Sequence, residues 1–414
     1  MSQEKNSSNC TIRMLVYWLL IIDWVCGGTG RVIVIGSVSL RILLCFVAII
    51  IEIYDVSKNG ISPIKGSVFW IYTVFYFILN LLVSIIIGNT MSYAIDEMTG
   101  YITIIIVPFF IFRFKEDAQL KTKTIKAFYT LIYFFAIFSL FLWLYAFFTG
   151  EKNYSNIQSV LDKYSYGSLS YIGKIPRLFL KSSILLTGGL LLSMKKIFCE
   201  NRTVLGSIEF IVFVLAILTT FTTAFYFFSL LVAACFWLHL QKRNPLTLGG
   251  VVKTIIVLLL FFAIIDKTAA LKVLDSRFTG NYTFQYKSIQ TQQLMDSWLE
   301  APLFGKGFGA TINLNYGYRS SVGVYRFEVM WLQVLLHTGI VGFVLFVGYI
   351  ITIIERCFSK QSKDNTIAFL CGLFLLYVCL VSLSNPFMNN TIGLLGLTII
   401  AGATYSSESE KEQV

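Results

Sequence analysis

Residues 127–149 read Ala-Phe-Tyr-Thr-Leu-Ile-Tyr-Phe-Phe-Ala-Ile-Phe-Ser-Leu-Phe-Leu-Trp-Leu-Tyr-Ala-Phe-Phe-Thr, an apolar run without a single charge. As an α-helix rising 1.5 Å per residue it would be about 34 Å long, and the hydrocarbon core of a bilayer is about 30 Å thick. Backbone polar groups in lipid must bond within their own segment, so the run reads as a membrane-spanning helix. Lys121, Lys123 and Lys126 precede it and Gly150 follows it. The positive-inside rule puts the lysine end in the cytoplasm.

The same reading extends along the chain. Further apolar runs lie near 14–28, 32–54, 67–88, 98–112, 178–194, 204–221, 223–240, 251–266, 328–354, 367–384 and 390–405, which makes about twelve spans. The first is full length, carries Asp23 and follows a charged 1–13, so it is a span rather than a cleavable signal peptide. With 56% hydrophobic and 13% charged residues, the chain has too little polar surface to cover a water-soluble globule. A net charge of +11 would suggest nucleic acid for a soluble protein, but here the cations sit in loops between apolar runs. With the N-terminus inside, inner segments hold Lys58, Lys65, Arg113, Lys115, Lys195, Lys196, Lys242, Arg243, Arg356 and Lys360, whereas short outer connections hold only Arg31. The sequence therefore predicts an all-α polytopic membrane protein, N-in and C-in. The cysteines fall in apolar runs or inner segments and have neither disulfide nor metal-ligand spacing.

Two outer segments are long, 150–176 and 267–327, the second between spans nine and ten. Loops of that length carry sites or are disordered, and these hold too many Tyr, Phe and Trp residues for disorder. Within the second, 284–299 has helical periodicity and Pro302 ends it. Gly305, Gly307 and Gly309 in Pro302-Leu-Phe-Gly-Lys-Gly-Phe-Gly309 predict a tight turn before the chain re-enters the bilayer. Neither a preceding strand nor a following Lys-Ser/Thr accompanies them, which excludes a nucleotide loop.

The long outer segments also carry cations against the positive-inside trend: Lys152, Lys163, Lys174, Arg177 and Lys181 beside the first, and Lys267, Lys272, Arg277, Lys287, Lys306, Arg319 and Arg326 in the second. A solvated surface or headgroup contact explains any one of them; as a group they suit an anionic partner. Arg177 and Arg277 stand at membrane boundaries beside apolar residues, where a partly desolvated guanidinium grips phosphate or snorkels to headgroups. Glu328 starts the tenth span, where a carboxylate is costly unless paired with a basic neighbour or used as a general base. Trp298 and Tyr325, with other outer aromatics, either stack on sugar rings or anchor the interface. Asp23, Arg41, Glu52, Glu209, His239 and His337 form no regular relay and are expected to pair inside the bundle. His337 lies about 13 Å beyond Glu328 along one helix and reads as a packing histidine.

The segment from Arg277 to Gly342 resembles the characteristic region of the bacterial O-antigen polymerase and O-antigen ligase superfamily. The elements are Arg277, Trp298, Pro302-Leu-Phe-Gly-Lys-Gly-Phe-Gly309, Glu328 and Gly339-Ile-Val-Gly342. In the ligases a His and a small polar residue precede nine residues and a Gly-x-x-Gly-like pair; here Glu328-Val329 stand at that spacing, and the missing His favours the polymerase branch. Arg177 matches the basic residue that opens a span after the earlier outer loop, whereas Thr219-Thr-Phe-Thr-Thr223 does not match the Ser-Arg pair of a middle helix.

The resemblance implies a fold similar to the GT-C-type membrane glycosyltransferases and a bacterial cytoplasmic membrane location. It implies a substrate of oligosaccharide repeat units on undecaprenyl pyrophosphate, consumed without metal or cofactor. Glu328 and Arg277 would be catalytic, and Arg177, Lys181, Arg319, Arg326, Trp298 and Tyr325 would bind substrate. A flippase and a chain-length regulator of the same pathway would be partners, and nucleic acid would not. Two alternatives stay open: a ligase, differing in acceptor, and a lipid-linked oligosaccharide flippase, which would show two similar halves around a basic cavity.

Overall fold

The computed structural model describes residues 2–28, 33–35, 38–59, 68–107, 109, 118–200, 202–243, 282–315, 320–359 and 366–405. The expected span at 251–266 and two candidate residues, Arg277 and Arg319, lie outside the described residues.

Helices dominate. α1 (Ser2–Cys26) and α2 (Leu40–Asn59) flank a short ribbon, β1 (Val34–Ile35) with β2 (Val38–Ser39). α3 (Val68–Ile87) and α4 (Met91–Gly100) follow, and helix resumes at 102–107. α5 (Ala118–Thr149) leads through α6 (Tyr154–Lys163) into an antiparallel hairpin, β3 (Gly167–Ile172) with β4 (Ile175–Leu180). α7 (Leu186–Phe198), α8 (Thr203–Leu218) and α9 (Thr223–Arg243) come next. α10 (Tyr282–Leu299) and the hairpin β5 (Ile312–Asn315) with β6 (Ser320–Val324) fold the late loop, before α11 (Met330–Phe358), α12 (Thr366–Val381) and α13 (Thr391–Tyr405) close the bundle.

Length and hydropathy make this a helical membrane protein. Among the described residues, three apolar helical stretches are long enough to cross a bilayer, within Leu120–Lys163, Thr223–Leu240 and Met330–Phe358. Tyr76–Ile87, Thr203–Leu218, Thr366–Val381 and Thr391–Thr404 are shorter apolar helices. On α5, Phe134, Phe141 and Phe148 recur every seven residues and are 63%, 67% and 80% exposed, an apolar stripe that suits contact with lipid. The opposite faces of the helices share one aromatic-rich core, in which Trp24 stacks on Phe128 and Tyr76 on Phe346.

The buried charges find partners. Fully buried Arg41 donates from Nε to Asp23 Oδ2 (2.7 Å), from Nη2 to the Asp23 carbonyl (2.6 Å) and from Nη1 to Thr391 (3.0 Å). Glu209 accepts from Tyr129 Oη (2.5 Å) and Lys196 (3.0 Å), and Glu52 accepts from Tyr17 Oη (2.5 Å). His239 stacks on Phe369. Ion pairs in low dielectric hold better when further hydrogen bonds satisfy the remaining donors, as the Asp23 carbonyl and Thr391 do for Arg41.

The sequence boundaries fail in three places, the first being the run expected from 32, which opens as the β1–β2 ribbon and turns helical only at Leu40. The run expected as a helix from 178 begins as strand, and helix starts only at Leu186 after a 3₁₀ turn over Lys181–Leu185. Leu178 and Leu180 alternate inward on β4 and Gly173 turns the hairpin at φ 61°, so period two prevails over bulk hydropathy. Arg177 therefore sits on a strand and opens no span. The run expected from 98 is already helical from Met91, which brings Asp96 and Glu97 onto a helix.

Candidate functional site

The site is built around a broken helix. Gly339 in α11 has φ 63° and ψ −173°, which interrupts the helical ladder. A break normally orphans backbone donors and acceptors. Here the glycine-rich segment takes their place. Ile340 N–H donates to the Pro302 carbonyl (2.9 Å) and Val341 N–H to that of Leu303 (3.1 Å), while Lys306 and Gly307 donate to Leu336 and His337 (2.8 Å each). A side chain would forbid this approach: a Cβ on Gly305 would lie 2.4 Å from Gly339 N, and one on Gly339 2.3 Å from Leu303 O. The expected tight turn thus docks into the bundle. Ser84 and Asn89, at the end of α3, donate to the Phe308 carbonyl (3.0 and 3.1 Å).

Beneath the turn lies a buried polar group drawn from three regions of the chain. Glu97 accepts Gly309 N–H on Oε2 (2.8 Å) and Gln333 Nε2 on Oε1 (3.3 Å). His337, fully buried, has Nδ1 2.6 Å from Glu97 Oε1 and Nε2 3.1 Å from the Ala310 carbonyl. A carbonyl can only accept, so Nε2 carries hydrogen, and a further proton lies between Nδ1 and Oε1. His337 is thus a satisfied interior histidine, as expected, with a partner the sequence did not suggest.

Gln333 extends the group toward the surface. Its Oε1 accepts Phe327 N–H (3.0 Å) and Asn389 Nδ2 (3.1 Å), and its Nε2 also donates to the Tyr325 carbonyl (3.3 Å). Gln290 on α10 is equally buried, and its Oε1 accepts Glu328 N–H (3.0 Å) and Val329 N–H (3.2 Å). These donors precede the first turn of α11 and would otherwise be orphaned.

This scaffold carries four of the expected site residues. Tyr325 stacks on Tyr93 (4.5 Å between centroids), and its hydroxyl donates to Asp96 Oδ2 (2.6 Å). Arg326 pairs with the same Asp96 oxygen. Glu328 has a half-exposed side chain and pairs with Lys287 (3.5 Å), which also donates to the Ser384 carbonyl (2.7 Å). The basic neighbour expected for Glu328 is therefore Lys287, while Arg326 serves Asp96. Trp298 packs on a small core of Leu294, Leu314, Phe327 and Leu336, its Nε1 donating to the Pro302 carbonyl (3.2 Å).

Arg177 lies on β4 of the other hairpin, and Lys181 opens the 3₁₀ turn that follows it. Arg177 Nε donates to the Thr220 carbonyl (3.3 Å), and Lys181 N–H donates to that of Tyr166 (2.9 Å). Tyr166 walls an apolar cavity of about 530 Å³ between α1, α5 and α6, lined also by Phe138, Leu142, Ile157, Val160 and Leu161. Burial pushes the Tyr166 hydroxyl well above the usual phenol range. Among the described residues, no group of three or more His, Cys, Asp or Glu side chains is placed to hold a metal ion.

Sequence reasoning missed Asp96, Glu97, Gln290, Gln333 and Asn389. Glu97 offered one signal, an acid at the mouth of an apolar run, but the span drawn from 98 left it in the loop. The glutamines and Asn389 carry no charge to mark them.

A family model described as O-antigen ligase matches residues 209–347, which include α10, the glycine-rich turn and the break in α11. An O-antigen polymerase of Shigella flexneri is 22% identical over 405 residues, covering 96% of each chain. No solved structure matches this chain. Both the local match and the full-length likeness are to the O-antigen polymerases and ligases of polysaccharide biosynthesis, the superfamily that this helical membrane protein resembles.

Proposed function

We propose that this protein polymerises oligosaccharide repeat units carried on undecaprenyl pyrophosphate, at the outer face of the bacterial cytoplasmic membrane, into O-antigen or capsular polysaccharide. The observation that carries the reading is the likeness to an O-antigen polymerase along nearly the whole chain. Three features support it: an exposed acid, Glu328, paired with Lys287 and two residues from Arg326 on a buried scaffold; the basic residues Arg177 on β4 and Lys181 just after it; and an apolar cavity, walled by the Tyr166 to which the Lys181 backbone bonds, that suits an isoprenoid chain.

In this mechanism Glu328 takes the proton from the acceptor hydroxyl as its oxygen attacks the anomeric carbon of the donor chain. The carbon–oxygen bond to the diphosphate breaks, and undecaprenyl diphosphate leaves with the bonding pair. Arg277, with Arg177 and Lys181, stabilises the charge that develops there, a role for preorganised cations that are worth most where water is excluded. Arg319 and Arg326 orient the acceptor, Trp298 and Tyr325 contact sugar, and in-line attack inverts the anomeric carbon. Metal-independent transfer, and cooperation with a flippase and a chain-length regulator, complete the proposal.

A ligase reading has the description of the matching family in its favour, but Glu328 stands where the ligase histidine would be. Deleting the gene and restoring wild type, Arg277→Ala or Glu328→Gln separates the readings. Single-unit glycans with normal export in both variants are expected. Cytoplasmic build-up of lipid-linked units would instead mean a flippase, and intact lipid-linked polymer without final attachment a ligase.

A further inference from the structure

We propose that Gln333 and Gln290 are positioning residues, which fix the backbone of 325–329 so that Arg326 and Glu328 face one acceptor site. The inference rests on the role given above to those two side chains.

Every hydrogen-bonding position of the Gln333 amide is used: two donors enter its oxygen and two acceptors take its nitrogen. The orientation is unambiguous, because the Phe327 amide can only donate and the Tyr325 carbonyl can only accept. Gln290 takes the next two amides, at Glu328 and Val329, so 327, 328 and 329 are all held by side chains from outside the segment. Both glutamines are almost wholly buried, whereas Arg326 and Glu328, carried by the backbone they hold, are half-exposed. Interior amides thus clamp a strip of chain whose charged side chains emerge. Glu97 and Asn389 hold Gln333 in turn, tying the strip to α4 and to the turn before α13. Such an arrangement suits catalysis, where a displacement of about 1 Å can cost a hundredfold in rate.

The test uses full-length protein in lipid nanodiscs, with lipid-linked repeat units extracted from the deletion strain as donor and acceptor. Gln333→Leu and Gln290→Leu should each speed amide exchange at 325–329 by about tenfold or more and lower turnover by about tenfold to a hundredfold at unchanged KM. Gln293→Leu, which removes hydrogen bonds from α10 to β5 only, should change neither. Should Gln333→Leu fail to fold, Gln290→Leu decides alone. Unchanged exchange at 325–329, or faster exchange with wild-type turnover per folded molecule, overturns the proposal. If Glu328→Gln and Arg326→Ala retain full activity, the catalytic reading falls separately, and exchange alone still decides whether the glutamines hold the strip.

Discussion

Glu97 and His337, 240 positions apart in sequence, meet at 2.6 Å in the interior with no water-facing surface on the histidine. Removing one member leaves the other buried without its partner, which costs about 3–5 kcal/mol in comparable pairs. His337→Leu and Glu97→Ala should each lower the thermal midpoint of the detergent-solubilised protein markedly. The double variant should lose less than the sum, because both changes delete the same contact. Additive losses would show that the two residues act independently.

The glycine-rich turn makes a sharper claim. Gly305, Gly339 and Gly323 all have positive φ, but only the first two would drive a Cβ into neighbouring backbone. Gly323→Ala should therefore cost about 1 kcal/mol through φ alone. Gly305→Ala and Gly339→Ala should abolish folded protein, seen as loss of the monodisperse peak in fluorescence-detected gel filtration. Equal tolerance of all three would contradict the docking of this turn into the break of α11.

Filling the apolar cavity at α6 should weaken use of a lipid-linked donor. Val160→Trp places an indole at its wall without touching Arg177, Lys181 or Glu328. We expect KM for the lipid-linked unit to rise about tenfold with kcat little changed. A fall in kcat at constant KM would mean that the cavity has no part in donor binding.

The phenylalanine stripe on α5 tests immersion in lipid. Phe141→Leu should be neutral. Phe141→Lys puts an ammonium in mid-span, at a cost of about 3 kcal/mol or more, and should sharply reduce membrane-inserted protein on quantitative blots of carbonate-washed membranes. Comparable amounts of the two variants would place this face against water or protein.

Taken alone, the amino-acid sequence determined that this is a polytopic helical membrane protein, because the balance of apolar run length against a 30 Å hydrocarbon core is struck segment by segment. It also located the glycine-rich turn and the helix before it. Tertiary structure alone decided the partners: Glu97 with His337, Gln333 with the strip at 325–327, Asp96 with Arg326, and Lys287 with Glu328. The run from 178 could become hairpin as well as helix, and Gly339 could sit in a continuous helix as well as a broken one. The reason is physical. Hydropathy is a property of each residue against its solvent, whereas a buried polar group is stable only with the particular partners that packing brings within hydrogen-bonding distance, and those arrive from elsewhere in the chain.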